Sequence, residues 1–272
     1  MTHEQPRGYH RYRALKLSGA GGVMTITISN PARKNALTPR LLRELDTIWD
    51  DVGADPDVRI IVLTGDGNDF CAGVDISQVE SLHDARDEEE EGRGGRPGRG
   101  GVYAVIDCQK PTLAKVRGVA YGLGANLALA CDMVFVSEGA RIADSHVKAG
   151  LVAGDGGVML WPLLVGMHRA KECLMTGEPV SGRRAEEIGL VNRCLADADL
   201  DREVEAMAQR LLALPPFALN RTKIALNKAM EHMAGPAFDL SLAWEMQCFN
   251  TEDFHEATRA FLEKRKGVYT GR

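Results

Sequence analysis

Residues 119–155, VAYGLGANLALACDMVFVSEGARIADSHVKAGLVAGD, decide the reading of this chain. The stretch opens on a glycine turn, Gly122-Leu123-Gly124, which runs into the apolar segment 125–131. It closes on His146 and Asp155, which bracket the run Gly150 to Gly154. A helix that starts at a glycine turn presents backbone N–H groups with no partner inside the helix. Such groups can hold a developing negative charge on oxygen. A histidine beside a carboxylate can move protons near neutral pH. The stretch therefore reads as an enzyme active site.

The rest of the chain is consistent with a soluble enzyme. Its 272 residues suit one core with an appended element, and 44% apolar against 26% charged content is ordinary for a globular protein. A net charge of −5 gives no reason to expect nucleic acid or an anionic membrane as partner. The cysteines Cys71, Cys108, Cys131, Cys173, Cys194 and Cys248 form no CxxC pair and lie mostly in apolar runs, which predicts reduced buried thiols in a cytoplasmic protein. No apolar run is long enough to span a bilayer, and the N-terminal residues have no secretory h-region.

Outward from the central stretch, the pattern is α/β. Residues 11–17 and 22–29 read as strands, with 18–22 (SGAGG) as their hairpin loop. That loop is no dinucleotide site, because a strand follows where a helix is needed. Thr38-Pro39 is an N-cap with proline at the first helical position, and Leu41, Leu42, Leu45, Ile48, Trp49 and Val52 form a helical stripe. The run VRIIVL at 58–63 is a strand buried on both faces. Residues 70–76 (FCAGVDI) form a second glycine turn entering a short helix, and 111–116 (PTLAKV) form another strand. Residues 84–101 are charged and glycine-rich, and are expected to be mobile, either as a solvated loop or as a flap over a site. From Trp161 onward the spacing is helical, over 200–214, 216–233, 237–249 and 252–266. The division expected is a core over 1–198 and a helical region over 199–272.

Several pieces resemble one family in content and order. They are NPARKNAL at 30–37, FCAGVDI at 70–76, GVAYGLG at 118–124, Cys131-Asp132, AEEIGLVN at 185–192 and AFLEKR at 260–265. Together they are similar to the crotonase (enoyl-CoA hydratase/isomerase) superfamily over roughly residues 14–272. The resemblance implies a spiral of ββα repeats with a C-terminal helical region that packs trimers or pairs of trimers. It implies a CoA thioester substrate, with coenzyme A as part of that substrate and no separate cofactor or metal. The thioester oxygen would lie between the backbone amides of Val74 and Leu123. Contacts to CoA would fall at Arg33, Lys34, Ala36, Ala72, Asp75, Ile76 and Gly122, with Phe261 and Lys264 reaching it from the last helix.

One departure matters. Hydratases of the family carry two glutamates, and the corresponding positions here are Asn126 and His146. Asn126 is no base, although an amide can orient water or a carbonyl. His146 can serve as base and then acid, with Asp155 on the far ring nitrogen fixing its tautomer. Asp144 is a nearby outside candidate. The pattern HxxxGxxxGDG also resembles, locally, the β-diketone hydrolase branch of the superfamily. There a His–Asp pair activates water for retro-Claisen cleavage, and Glu245 matches a further glutamate of that branch.

Three functions follow as expectations. The first is an enoyl-CoA hydratase/isomerase-like enzyme with a His–Asp pair in place of the glutamates. The second is a C–C bond hydrolase of a β-dicarbonyl, whether or not CoA-linked. The third is a catalytically reduced acyl-CoA-binding protein.

Overall fold

The computed structural model describes residue 6, residues 8–78 and residues 100–272. The charged stretch singled out at 84–101 lies outside these, apart from Gly100 and Gly101.

The chain opens with β1 (Leu15–Ala20) and β2 (Val23–Ile28), paired antiparallel with Ala20 opposite Val23. The turn is therefore only Gly21 and Gly22, whose φ values of +56° and +86° suit a two-residue hairpin. This corrects the longer loop expected over 18–22: Ser18, Gly19 and Ala20 belong to the strand. The first strand also starts later than expected, at Leu15. Ahead of it, Tyr9 and Tyr12 are buried and their hydroxyls donate to Asp55 Oδ2 (2.6 Å) and Asp51 Oδ2 (2.7 Å).

Helix α1 (Pro39–Ala54) starts at Thr38, whose hydroxyl accepts from the Leu41 amide, and it buries the apolar stripe read from sequence. It leads to β3 (Ile60–Gly65), which joins β2 in parallel. After α2 (Val102–Asp107), β4 (Thr112–Val116) joins β3. The chain then steps to β5 (Val119–Tyr121) in a second sheet, makes α3 (Leu123–Leu129), and returns to the first sheet as β6 (Met133–Ser137). It steps out again as β7 (Arg141–Ala143), parallel to β5. This repeated strand, strand, helix path is the ββα spiral.

Helices α4 (Gly157–Val165) and α5 (Met167–Thr176) follow, then β8 (Val180–Ser181), α6 (Gly182–Glu187) and β9 (Arg193–Leu195). The main sheet runs β1-β2-β3-β4-β6-β9 and the smaller one β5-β7-β8.

Helix α7 (Asp197–Leu212) covers one face of the main sheet, placing Leu200, Val204, Ala208 and Leu211 on Ile60, Leu113 and Phe135. The other face carries the larger core, with α1, α2 and α3. Two helices were expected over 216–233 and 237–249. They are one, α8 (Pro216–Cys248), with Pro236 inside it. Proline removes one backbone donor and crowds the preceding turn. Here packing overrides that cost: Phe238 is buried, and its ring meets that of Tyr103 edge-on at 4.6 Å. Helix α9 (Glu252–Leu262) closes the fold, capped by Thr251, and packs against two single 3-10 turns, Ile76–Gln78 and His146–Ala149.

Candidate active site

The two glycine turns meet. Cys71 and Ala120 form a parallel bridge, with the Tyr121 amide donating to Cys71 O at 2.9 Å. A Cβ on Gly73 would stand 2.8 Å from Tyr121 O, and one on Gly124 would stand 2.5 Å from Cys71 O. Glycine is therefore required by the close approach at both places. Loop 30–37 braces the first turn. Ala72 N donates to Lys34 O, Leu37 N to Gly73 O, and Asp75 N to Leu37 O. Lys34 and Asn35 take left-handed φ of 52° and 57° to make this possible. The pairing leaves Val74 N–H directed away from Leu37, and Leu123 N is the first amide of α3. Among the described residues, no protein acceptor takes either amide.

Next to the second turn lies a dense ionic cluster. The chain leaves β7 at Ala143, so Asp144 is buried behind the turn that presents His146. His146 Nδ1 is 2.6 Å from Asp144 Oδ1, and His146 Nε2 is 3.0 Å from Asp155 Oδ2. Glu245, from α8, brings Oε1 to 3.9 Å of the same Nε2. Asn126, from α3, donates through Nδ2 to Asp144 Oδ2 (2.9 Å) and to Asp155 Oδ1 (2.7 Å). Its oxygen accepts from the Trp161 indole N–H at 3.2 Å. Absent side chains make the room: a Cβ on Gly157 would fall 2.1 Å from Asp144 Oδ2, and one on Gly154 would fall 2.6 Å from Glu245 Oε2. The ring also faces the glycine turn, since a Cβ on Gly122 would be 3.5 Å from His146 Cε1 and 3.7 Å from Nε2.

Burial would push the His146 imidazolium down, but the carboxylates of Asp155 and Asp144 outweigh it, and the ring holds its proton well above the ordinary histidine range. Burial would likewise raise Asp144, and the charge and hydrogen bond of His146 outweigh that and keep it below the ordinary carboxylate value. The imidazole, its proton affinity raised, thus has an aspartate side chain at each ring nitrogen. Asp144, His146 and Asp155 also offer three metal-type donor atoms within 4.8 Å of one another. Their nitrogen–oxygen contacts are direct and of hydrogen-bond length, a geometry of proton sharing.

Besides Val74, Gly122 and Leu123 in the two glycine turns, the residues singled out from sequence fall into three groups. His146, Asp155, Asn126 and Glu245 come together at the cluster. Asp144, an outside candidate, lies on Nδ1, and Asp155, expected on the far ring nitrogen, lies on Nε2. Asp155 does not cap α4 through its side chain, because both its oxygens are engaged in the cluster. The second group is Arg33, Lys34, Ala36, Ala72, Asp75 and Ile76 around the first turn. There Arg33 Nη1 lies 2.6 Å from Asp75 Oδ2 and also donates to Ser77 Oγ. Burial of Asp75 would raise its carboxyl, and the donors Ser77 and Arg33 lower it overall. Phe261 and Lys264 make the third group. Phe261 is exposed on α9 and Lys264 lies just past its end at φ 56°. Neither bonds to the cluster. Sequence reading missed the bond of Trp161 to Asn126; an indole N–H in an otherwise apolar helix needs a partner, and that was the available signal.

A spiral of ββα repeats with apposed glycine turns and a titratable cluster beside them defines an enzyme of the crotonase superfamily. The family model for enoyl-CoA hydratase/isomerase matches residues 18–272. The chain belongs to the enoyl-CoA hydratase/isomerase family. It is 33% identical to the short-chain-enoyl-CoA hydratase of Clostridium acetobutylicum, covering 92% of this chain and 95% of that protein. It is 30% identical to the 1,2-epoxyphenylacetyl-CoA isomerase of Escherichia coli, covering 92% and 96%. It superimposes on the crystal structure of an enoyl-CoA hydratase/isomerase from Mycobacterium paratuberculosis with a TM-score of 0.83 and 35% identity, covering 90% and 97%. No helix among the described residues is long and apolar enough to cross a membrane.

Proposed function

We propose that the enzyme processes an acyl-CoA thioester through an enolate whose oxygen accepts from the Val74 and Leu123 amides, with His146 and Asp155 as the proton carriers. The observation that carries this is that His146 Nε2 lies 3.0 Å from Asp155 Oδ2 and faces the Gly122 turn, where a Cβ would stand 3.7 Å from it. It supports a proton donor beside the amide that would hold the enolate oxygen.

In the hydration direction, Asp155 accepts a proton from water as its oxygen bonds to the β-carbon. The electrons of the double bond move onto the thioester oxygen, and the amides stabilise that charge. His146, starting as imidazolium, then gives its proton to the α-carbon. The proton taken by Asp155 passes to Nε2 and the site is restored. In this scheme the order of roles is the reverse of the sequence expectation, acid before base, in keeping with the raised proton affinity of the ring. The CoA moiety would lie along Arg33, Lys34, Ala36, Ala72, Asp75 and Ile76. Phe261 and Lys264 would contribute to it within a homotrimer or a dimer of trimers. The exposed apolar side chains Leu226, Met233, Leu240 and Trp244 along α8 support such packing.

The placement of Glu245 favours a second reading. A further carboxylate 3.9 Å from Nε2 suits retro-Claisen cleavage, in which water attacks a carbonyl and the broken C–C bond leaves an enolate. A turnover panel separates the readings: crotonyl-CoA, longer enoyl-CoAs, β-ketoacyl-CoAs and CoA-free β-diketones. Loss of enoyl absorbance with the CoA esters is expected. Cleavage of β-diketones alone would transfer the case to the second reading, and binding of CoA esters without turnover would remove both.

A further inference from the structure

A single amide connects two of the cluster's three carboxylates, those of Asp144 and Asp155. Asn126 spends both Nδ2 hydrogens on them, one on Asp144 Oδ2 at 2.9 Å and one on Asp155 Oδ1 at 2.7 Å. Its Oδ1 accepts from Trp161 Nε1 at 3.2 Å. An indole N–H only donates and a carboxylate only accepts, so this set of partners allows one orientation of the amide. Asn126 and Trp161 are fully buried, so neither is placed to touch a substrate. Asp155 differs from Asp144 in access: its side chain is 17% exposed, against none for Asp144. Without the Asn126 bond, Asp155 is the partner free to turn to water.

We propose that Asn126, oriented by Trp161, is the positioning residue that keeps Asp144 and Asp155 on opposite nitrogens of His146, so that the three groups work as one proton-transfer unit. The proposal rests on the reading of His146 as proton carrier given above. It also explains why a neutral amide accompanies the histidine. Two carboxylates already surround one imidazolium, and Glu245 faces the same nitrogen. A glutamate in place of Asn126 would add a like charge in a buried site and, as a carboxylate, offer no donor to either aspartate. The charged groups within 4 Å of the ring nitrogens are Asp144, Asp155 and Glu245 among the described residues. On the elements packed around the turn, Lys148 is paired with Glu178, and the Asp253 carboxylate accepts from the amides of Thr270 and Gly271.

The test uses full-length wild type, Trp161→Phe and Asn126→Leu. Histidine ring nitrogens are followed by NMR against pH in the resting protein, and kcat and KM are followed against pH with crotonyl-CoA. In both variants the imidazolium of His146 is expected to be lost at least about one pH unit lower than in wild type, a tenfold change in proton affinity. The alkaline limb of kcat follows it, while KM stays within about twofold. Trp161→Phe keeps an aromatic ring in the core while removing the N–H and part of the indole, and leaves Asn126 itself in place, so it decides the matter if Asn126→Leu does not fold. Folded variants whose His146 titration coincides with wild type overturn the proposal. The NMR arm needs no substrate. A shifted titration in a protein that turns over none of the CoA esters keeps the clamp and removes the proposed reaction. An unshifted titration in an active enzyme does the reverse.

Discussion

Helix α8 carries a buried ionic group towards each of its ends. Near the first, Lys223 donates to Lys110 O at 2.9 Å and Thr112 Oγ1 at 3.3 Å, and pairs with Asp132 Oδ2 at 2.9 Å. Asp132 in turn accepts from the Thr112 amide at 2.7 Å. One cation meets one carboxylate, and neutral oxygens satisfy the remaining ammonium donors. Near the other end, Glu245 faces His146, which already carries Asp144 and Asp155. One cation there meets an excess of carboxylate. Balanced charge fastens a helix to a sheet. Unbalanced charge holds a proton under tension, which is a property of active sites. Burial alone does not separate the two; the count of opposing charges does.

That contrast breaks or sharpens under substitution. His146→Gln keeps a donor and removes the titrating ring. It is expected to lower kcat by about a thousandfold, roughly 4 kcal/mol of barrier, as loss of general acid–base catalysis does. The melting temperature should change little beside that loss; an unfolded variant, or full activity, would sink the contrast. Lys223→Met should behave in the opposite way. Removing one partner of a buried pair leaves Asp132 in poor surroundings, and about 3 kcal/mol of stability is expected to go, seen in a denaturant titration. kcat of the folded fraction should be unchanged, and a selective loss of activity would mean that the cluster is not structural.

Gly157→Ala is a smaller and finer probe. Alanine is favoured over glycine in a helix by about 1 kcal/mol. The new Cβ would fall 2.1 Å from Asp144 Oδ2, and displacing that carboxylate should turn the change into a net loss of about 2 kcal/mol. A stabilised variant would show that Asp144 yields easily. The mildest effect is on pH. His146 has a raised folded pKa, so its stabilising contribution is full below the unfolded value near 6.5 and is lost as pH rises through the folded one. The wild-type denaturation midpoint should therefore fall on the alkaline side, and His146→Gln should lack that component.

Much of the architecture was legible because local chemistry and tertiary structure agree. Thr38-Pro39 starts α1 where a cap and a proline say it should, and the run ending at Leu63 is buried on both faces. The site was half legible. His146, Asp155 and Glu245 stand out as residue types at recognisable spacings. Asp144 is only an outside candidate there, since an aspartate at a strand end is ordinary until the fold turns it under the histidine two residues on. Asn126 and Trp161 meet across 35 positions, a distance that no helical or strand period encodes. Pro236 misled for a related reason: the packing beside it, such as Phe238 against Tyr103, comes from another element.

The same helix has a mechanical consequence. Lys223 and Glu245 are 22 residues apart on one rod, about 33 Å at the α-helical rise. Pro236 lies between them and leaves its turn one hydrogen bond short. A beam pinned at one end and notched along its length bends at the notch. Glu245 lies beyond that notch, so its distance from His146 depends on the path of the helix past Pro236 as well as on its own rotamer.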